Sequence, residues 1–130
     1  MTSNLLSRAR AAAHHAYVPY SHFAVGAAVR TTTGDIFIGC NVENAALGET
    51  ICAERNAVTT AVAQLGPEMR VDTIAIVGLG AAPCWPCGAC RQVLREFGVR
   101  RVLVENEKGQ PAELSLEDLL PRSFGPDALA

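Results

Sequence analysis

Apolar residues of the chain fall into alternating helix-like and strand-like segments. The first segment carries apolar residues at helical spacing, namely Leu5, Ala9, Ala12 and Ala16. This periodicity predicts an amphipathic helix over residues 3–16. We expect it to end near Tyr17, because Val18 precedes Pro19 and is biased towards extended geometry.

The remaining segments alternate in the same way. A hairpin is predicted from strands 23–31 and 36–42, which flank the turn sequence Thr33-Gly34-Asp35. Further elements are predicted at 50–64 (helix, with Thr50 as N-cap), 72–79 (strand), 87–97 (helix), 101–105 (strand) and 115–120 (helix, with Ser115 as N-cap). This alternation favours an α/β fold in which helices cover a central sheet.

Composition limits the class of protein. The chain has 130 residues, 49% of them hydrophobic and 18% charged, which is typical of one folded domain spanning 1–130. Proteins that bind nucleic acid through its phosphates usually carry an excess of basic residues, whereas this chain has a net charge of −2. We therefore expect no nucleic acid partner. No apolar run reaches membrane-spanning length, and residues 1–15 lack the basic region followed by an apolar core that is typical of a signal peptide. We therefore expect a soluble, cytoplasmic protein without a membrane partner.

Cysteine usage gives the first indication of chemistry. The chain has 5 Cys, an odd number, and Cys84, Cys87 and Cys90 are spaced by three. A secreted disulfide framework would more often be even and would lie in a smaller chain. Clustered cysteines in a reducing compartment instead indicate metal or redox chemistry.

The cysteine spacing favours a catalytic zinc. Cys87 and Cys90 stand three apart at the start of a predicted helix, and Cys52 stands in the first turn of another, so their thiols can face one ion. Three protein ligands leave the fourth tetrahedral position open for water, as in catalytic zinc sites. The positive ends of both helices, with Arg55 and Arg91, would offset part of the thiolate charge.

Glu54 completes this constellation as a proton carrier. It stands two residues from Cys52, so the two side chains leave the helix on different faces. Glu54 can therefore lie beside the metal without being one of its ligands. A carboxylate in that place can take a proton from activated water and pass it on. The same set of groups is the general description of zinc nucleobase deaminases.

Two other interpretations concern the same cysteines. Cys84 and Cys87 form a Cys-x-x-C pair, which would be typical of a redox site but leaves Cys52, Glu54 and Cys90 without a role. Alternatively, Cys84 could serve as a fourth thiolate and close a structural zinc site. That hypothesis leaves Glu54 unexplained.

Four ordered motifs resemble the small, tetrameric class of cytidine deaminases. They are residues 19–28 (PYSHFAVGAA), 39–45 (GCNVENA), 52–55 (CAER) and 86–94 (PCGACRQVL). Leu119-Leu120-Pro121 followed by Phe124 fits too, so the resemblance spans about Tyr17 to Phe124. It implies a three-layer α/β/α fold with a central mixed sheet.

The resemblance also implies roles for individual residues. Zinc, one ion per subunit, would be bound by Cys52, Cys87 and Cys90, and Glu54 would shuttle protons. Substrate contacts are implied for Phe23, Asn41, Glu43, Ala53, Trp85 and Phe124. Asn41 and Glu43 would hydrogen-bond the ribose hydroxyls, and Phe124 would come from a neighbouring subunit. Arg55 would compensate charge.

The implied reaction is hydrolytic deamination of cytidine and 2′-deoxycytidine in pyrimidine salvage. The implied partners are a small nucleoside and further copies of the chain, in a homotetramer whose sites lie near subunit interfaces. Small residues in the first helix and after Thr50 would permit close helix contacts between subunits. The sequence departs from the family pattern at Trp85, where a small residue is usual, at Leu47 and at Cys84.

Two functional alternatives remain open. The first is a sister deaminase acting on a cytosine-containing nucleoside antibiotic, against which the intact Asn41-Val42-Glu43 argues. The second is a nonenzymatic zinc-binding interaction module, which would leave Glu54 without a role. An RNA- or DNA-editing deaminase is disfavoured by the absence of basic patches.

Overall fold

The computed structural model describes residues 2–130, which form one mixed sheet with helices on both faces. The helices are α1 (Thr2–Ala13), α2 (Ala53–Leu65), α3 (Gly88–Glu96) and α4 (Leu116–Leu119). The strands are β1 (Val25–Thr31), β2 (Ile36–Cys40), β3 (Val71–Gly78), β4 (Arg101–Glu105) and β5 (Pro111–Ser115). Short 3₁₀ turns occur at Leu47–Glu49 and Pro126–Ala128.

The strand order in the sheet is β2-β1-β3-β4-β5. Only β3 and β4 pair in parallel, through the crossover helix α3, and the other three neighbouring pairs are antiparallel. Alternate residues of each strand point to opposite faces, so both faces of the central strands are buried. This is the predicted three-layer arrangement with a mixed sheet, and the prediction is confirmed.

Each face of the sheet has its own core. Helix α1 packs through Leu5, Leu6 and Ala9 on one face, where Ala28 and Ala75 meet it. Helices α2 and α3 pack on the other face through residues such as Val58 and Leu94. The two helices that carry the predicted chemistry therefore lie side by side on one face.

Two predicted helix ends are wrong, each because an extended bridge competes with the helix. Helix α1 ends at Ala13 rather than near Tyr17, since Tyr17 pairs with the backbone around Val42. Helix α2 begins after Cys52, because Ile51 also pairs with Val42. Thr50 is therefore not an N-cap, and its hydroxyl accepts a hydrogen bond from the Asn44 N–H at 3.3 Å.

The strands differ less from expectation. Strand β4 has the predicted bounds, β1 starts two residues later, and β2 stops two residues earlier. The sequence analysis missed β5, an edge strand of five mostly exposed residues in which just two apolar side chains, Ala112 and Leu114, alternate with polar ones. Ser115 caps α4 as predicted, because its Oγ accepts from the Asp118 N–H at 3.1 Å.

Gly26 sets the distance between β1 and α1. A Cβ at this position would collide with the Ala9 carbonyl oxygen and the Ala13 backbone nitrogen, neither of which can move without shifting α1. We expect Gly26→Ala to lower the free energy of unfolding by about 3 kcal/mol or more, at the upper end of overpacking costs. Urea unfolding followed by circular dichroism measures the effect.

Gly48→Ala is the matched control, because nothing lies within 4 Å of a Cβ built there. An equal loss of stability in both variants would refute the packing argument.

Among the residues that the structure describes, no helix has the length and apolar character needed to cross a membrane.

Candidate active site

Three thiols meet where the N-termini of α2 and α3 adjoin. Cys52 and Cys87 are the N-cap residues of the two helices, and Cys90 lies in the first turn of α3. Their sulfur atoms all lie within 4.8 Å of one another, and the Cys52 and Cys87 sulfurs are 4.0 Å apart. Tetrahedral zinc with bonds of about 2.3 Å places its sulfur ligands about 3.8 Å apart. The cluster therefore has the spacing of a three-thiolate zinc site.

Electrostatics within the cluster favour the thiolate form of Cys52. A hydrogen bond from the Cys90 thiol, helped by Cys87 and by the positive charge of Arg55, lowers the pKa of Cys52 to about 6. The pKa of Cys90 rises in turn, chiefly because its proton is held in that hydrogen bond. The Arg55 Nε–H is buried and has no hydrogen-bond partner within the described residues. An unpartnered donor beside the sulfurs fits a site that holds negative charge.

The sequence suggested that Arg91 offsets thiolate charge, and its contacts do not place it in that role. Its guanidinium donates to two backbone carbonyls, those of Pro86 and Leu119, rather than to a sulfur. Of the two arginines, Arg55 is the one whose charge lowers the pKa of Cys52.

Cys84 lies outside the three-thiol cluster. Among the described residues, the group of side chains able to share one ion contains Cys52, Cys87 and Cys90 without Cys84. Burial raises the pKa of the Cys84 thiol to about 11, which keeps it protonated at neutral pH. The structure thus does not bring together the four thiolates that a closed structural site requires.

Glu54 occupies the first turn of α2 and is 6% exposed. Burial, reinforced by the nearby charge of Cys52, raises its pKa to about 7. A carboxyl group that titrates near neutrality can both accept and donate a proton, which is the requirement for a proton shuttle. Its side chain lines the same pocket as Cys52 and Cys87.

That pocket has a volume of about 250 Å³ and is mostly apolar. The predicted site residues on its wall include Phe23, Asn41, Ala53 and Trp85. Two residues that the sequence analysis had not assigned to the site, Val25 and Thr50, line it too, and so does Cys84, which had been considered only as a metal or redox thiol. Thr50 stands close in sequence to the Cys52 motif, which would have marked it, whereas Val25 is typical of an ordinary strand residue.

Asn41 ties the pocket wall to the sheet. Its Oδ1 accepts from the Val25 N–H at 2.9 Å, and its Nδ2 donates to the Phe23 carbonyl at 2.9 Å. The amide thus fixes the backbone on both sides of Ala24 and keeps one N–H and one lone pair free.

Glu43 orders the loop before β1. Its carboxylate accepts from the backbone N–H groups of Tyr20 and Ser21 at 3.0 and 3.2 Å, and from the Ser21 hydroxyl. These hydrogen bonds, the one from the Ser21 hydroxyl above all, lower the pKa of Glu43. Glu43 is therefore ionised at neutral pH, although it is not among the residues on the wall of the pocket.

Phe124 lies apart from the pocket of its own chain. Its side chain is 61% exposed, and its carbonyl accepts from Gln92 Nε2 on α3 at 2.8 Å. The structure therefore brings together the thiols, Glu54, Phe23, Asn41, Ala53 and Trp85, and leaves Glu43 at the periphery and Phe124 outside.

Residues 1–106 match the family described as the cytidine and deoxycytidylate deaminase zinc-binding region. The chain belongs to this family. A cytidine deaminase from Sporosarcina psychrophila is 41% identical over 128 residues, covering 97% of this chain and 93% of the relative. One from Mycobacterium tuberculosis is 44% identical over 125 residues, covering 96% and 90%.

Solved structures agree with this membership of the deaminase family. The crystal structure of a cytidine deaminase from Burkholderia pseudomallei superposes with a TM-score of 0.87 at 45% identity. The match covers 95% of this chain and 99% of that one. Together with the three-thiol cluster, membership of this zinc-binding deaminase family indicates one Zn²⁺ per subunit.

Proposed function

We propose that this protein hydrolyses cytidine and 2′-deoxycytidine to uridine and 2′-deoxyuridine, releasing ammonia, in pyrimidine salvage. The observation that carries the proposal is a buried carboxyl, Glu54, on the wall of a pocket that also contains Cys52 and Cys87 of the three-thiol cluster. The cytidine deaminase relatives support the choice of substrate.

Cys52, Cys87 and Cys90 would hold the ion, and Arg55 would offset part of their charge. When bound, Zn²⁺ supplies Lewis acidity that activates a water molecule at neutral pH. The N-termini of α2 and α3 direct their partial positive charge at the same point, which lowers the cost of gathering three thiolates there.

Glu54 would move both protons of the reaction. It takes a proton from the attacking water and gives it to N3 of the cytosine ring, which makes C4 a better electrophile. It then takes the proton of the new hydroxyl at C4 and delivers it to the departing amine. Water thus supplies the oxygen of the uracil ring and both transferred protons, and Glu54 is regenerated.

The remaining site residues would hold the nucleoside in place. Phe23, Ala53 and Trp85 line the pocket. Phe23 would pack on the nucleoside, and Ala53 and Trp85 would lie beside the reacting carbon. Asn41 would offer its free N–H to a ribose hydroxyl, and Glu43 would accept from a hydroxyl at the pocket mouth. The ionised Glu43 would repel a phosphate, so the proposed substrate is a nucleoside rather than a nucleotide.

Mixing the purified protein with cytidine tests the proposal. We expect the absorbance of cytidine to change to that of uridine, with one ammonia released for each uridine formed. Zinc measured on the same sample is expected at one ion per chain. A protein that holds zinc but leaves cytidine and 2′-deoxycytidine untouched would contradict the proposed substrates.

We further propose a homotetramer whose sites lie near subunit interfaces, and a cytoplasmic location. The small residues of α1 and α2 do not support the tetramer, because Ala9, Ala12, Ala57 and Ala61 are buried within their own chain. The support comes instead from large apolar side chains that the single chain leaves exposed, notably Leu47 at 71% and Phe124 at 61%. The cysteines, all five of them free, fit a reducing compartment.

Light scattering at micromolar concentration tests the assembly. We expect a mass about four times the 13.7 kDa of one chain. Phe124→Ala is expected to raise the KM for cytidine if this ring completes a neighbour's site. A single-chain mass for the active protein would refute the tetramer.

A further inference from the structure

Cys87 is the exposed member of the thiol cluster. Cys90 is buried and Cys52 is partly buried, so packing restrains those two side chains. Cys87 precedes the first residue of α3, and neighbouring side chains cover little of it. A ligand that packing does not restrain must be held through its backbone if the site is to keep its geometry.

Arg91 provides such a restraint. Its Nε donates to the carbonyl of Pro86 at 2.7 Å, and its Nη1 donates to the carbonyl of Leu119 at 2.8 Å. The Pro86 carbonyl belongs to the peptide group that joins Pro86 to Cys87. The peptide group on the other side of Cys87 is held by helix α3, because the Cys87 carbonyl accepts from the Arg91 N–H at 3.0 Å. With both flanking peptide planes fixed, the direction in which the Cys87 side chain leaves the backbone is fixed too.

The second carbonyl anchors the arginine to the C-terminal segment. Neighbouring residues of α3 hold the same segment, since Arg95 Nε donates to Ser123 Oγ at 3.0 Å and Gln92 Nε2 donates to the Phe124 carbonyl. Gly125 is buried against the Arg95 guanidinium, and a Cβ there would lie 2.5 Å from its Cζ. The segment that receives Arg91 is therefore itself packed closely on α3.

We propose that Arg91 is a positioning residue for Cys87, and that it holds the Pro86–Cys87 peptide against the C-terminal segment. This inference rests on the proposed zinc site. A planar guanidinium suits the role because its fixed fork reaches two carbonyls at once, whereas a lysine ammonium is a single point donor. Arg91 does not line the pocket, so it acts on the metal site and not on substrate binding.

The test is the rate at which zinc leaves the folded protein, measured at 25 °C with a chromogenic chelator. We expect Arg91→Gln to release zinc about 10–100-fold faster than the unchanged protein, the usual effect of losing a group that orients a ligand. Arg91→Lys is expected to fall between the two, about threefold faster, because it can replace only one of the hydrogen bonds. With cytidine, kcat should fall while KM stays unchanged.

Arg95→Gln is the matched control, since it removes the same charge from α3 and loosens the same segment without touching Pro86. Its zinc release should match that of the unchanged protein. Wild-type release from folded Arg91→Gln would overturn the inference, and so would equal acceleration by Arg95→Gln. If Arg91→Gln fails to fold, wild-type release from Arg91→Lys would overturn it.

Zinc content and cytidine turnover of the unchanged protein report separately on the proposed function. A zinc-loaded protein without turnover would sink the proposed substrate, yet its release rates would still decide the role of Arg91. A protein that binds no zinc would overturn both.

Discussion

Replacing Glu54 by glutamine is expected to reduce cytidine turnover by about 10²–10⁴-fold, the range that general acid–base catalysis contributes. That loss corresponds to about 3–5 kcal/mol in the activation free energy. The amide has nearly the shape of the carboxyl, so the buried position next to Ala53 and Ala57 remains filled. The amide of glutamine cannot take up or release a proton at neutral pH, so it cannot transfer protons to the ring and to the amine.

The zinc content of Glu54→Gln should stay at one ion per chain, because Glu54 is not in the thiol cluster. The measurement compares initial rates and metal content with those of Glu96→Gln, an exposed carboxyl at the end of α3. Turnover of Glu54→Gln within a few-fold of the unchanged protein would remove Glu54 from the mechanism. Loss of zinc would instead indicate that the carboxylate binds the ion.

A second large effect is expected from removing one thiol of the cluster. Cys90→Ala should abolish stoichiometric zinc binding and, with it, detectable deamination. Cys90 is completely buried, and its sulfur lies within 4.8 Å of those of Cys52 and Cys87. Two remaining thiols cannot hold zinc with the affinity of three, and no other described residue belongs to the cluster.

Cys84→Ser is the matched control for this experiment. The Cys84 thiol is held protonated by burial and lies outside the cluster, so its replacement should leave one zinc per chain. Metal analysis after gel filtration measures both variants. Loss of zinc from Cys84→Ser would mean that the site is closed by four thiolates, and the open position that the reaction needs would not exist.

The fold could be predicted from the sequence where local patterns agree with tertiary contacts. Strand β4 has the predicted bounds because its core residues, Val102, Leu103 and Val104, are all buried. The end of α1 and the start of α2 could not be predicted. Both depend on backbone bridges that Val42 makes with Tyr17 and with Ile51, which no local pattern indicates. Strand β5 is an edge strand that pairs with β4 and packs on the core through Ala112, while Leu114 is exposed, so its short sequence carried little information.

The site divides in the same way. Cysteine spacing and the place of Glu54 predicted a cluster that the structure assembles at two helix N-termini. The hydrogen-bond partners of Asn41 and Glu43 could not be predicted, because they are backbone groups of residues 20–25, which lie far from Asn41 and Glu43 in sequence. Arg91 shows the limit most clearly, since its position beside Cys90 suggested charge compensation and its contacts are carbonyl groups.

The thiol cluster also has a consequence for the unfolded chain. Cys52 and Cys87 are 35 residues apart in sequence, so an ion held between them closes a long loop. Such a crosslink removes conformational entropy from the unfolded ensemble, and the free energy of binding the ion becomes part of the free energy of folding. The resistance of this protein to unfolding is thus set partly by the concentration of free zinc around it.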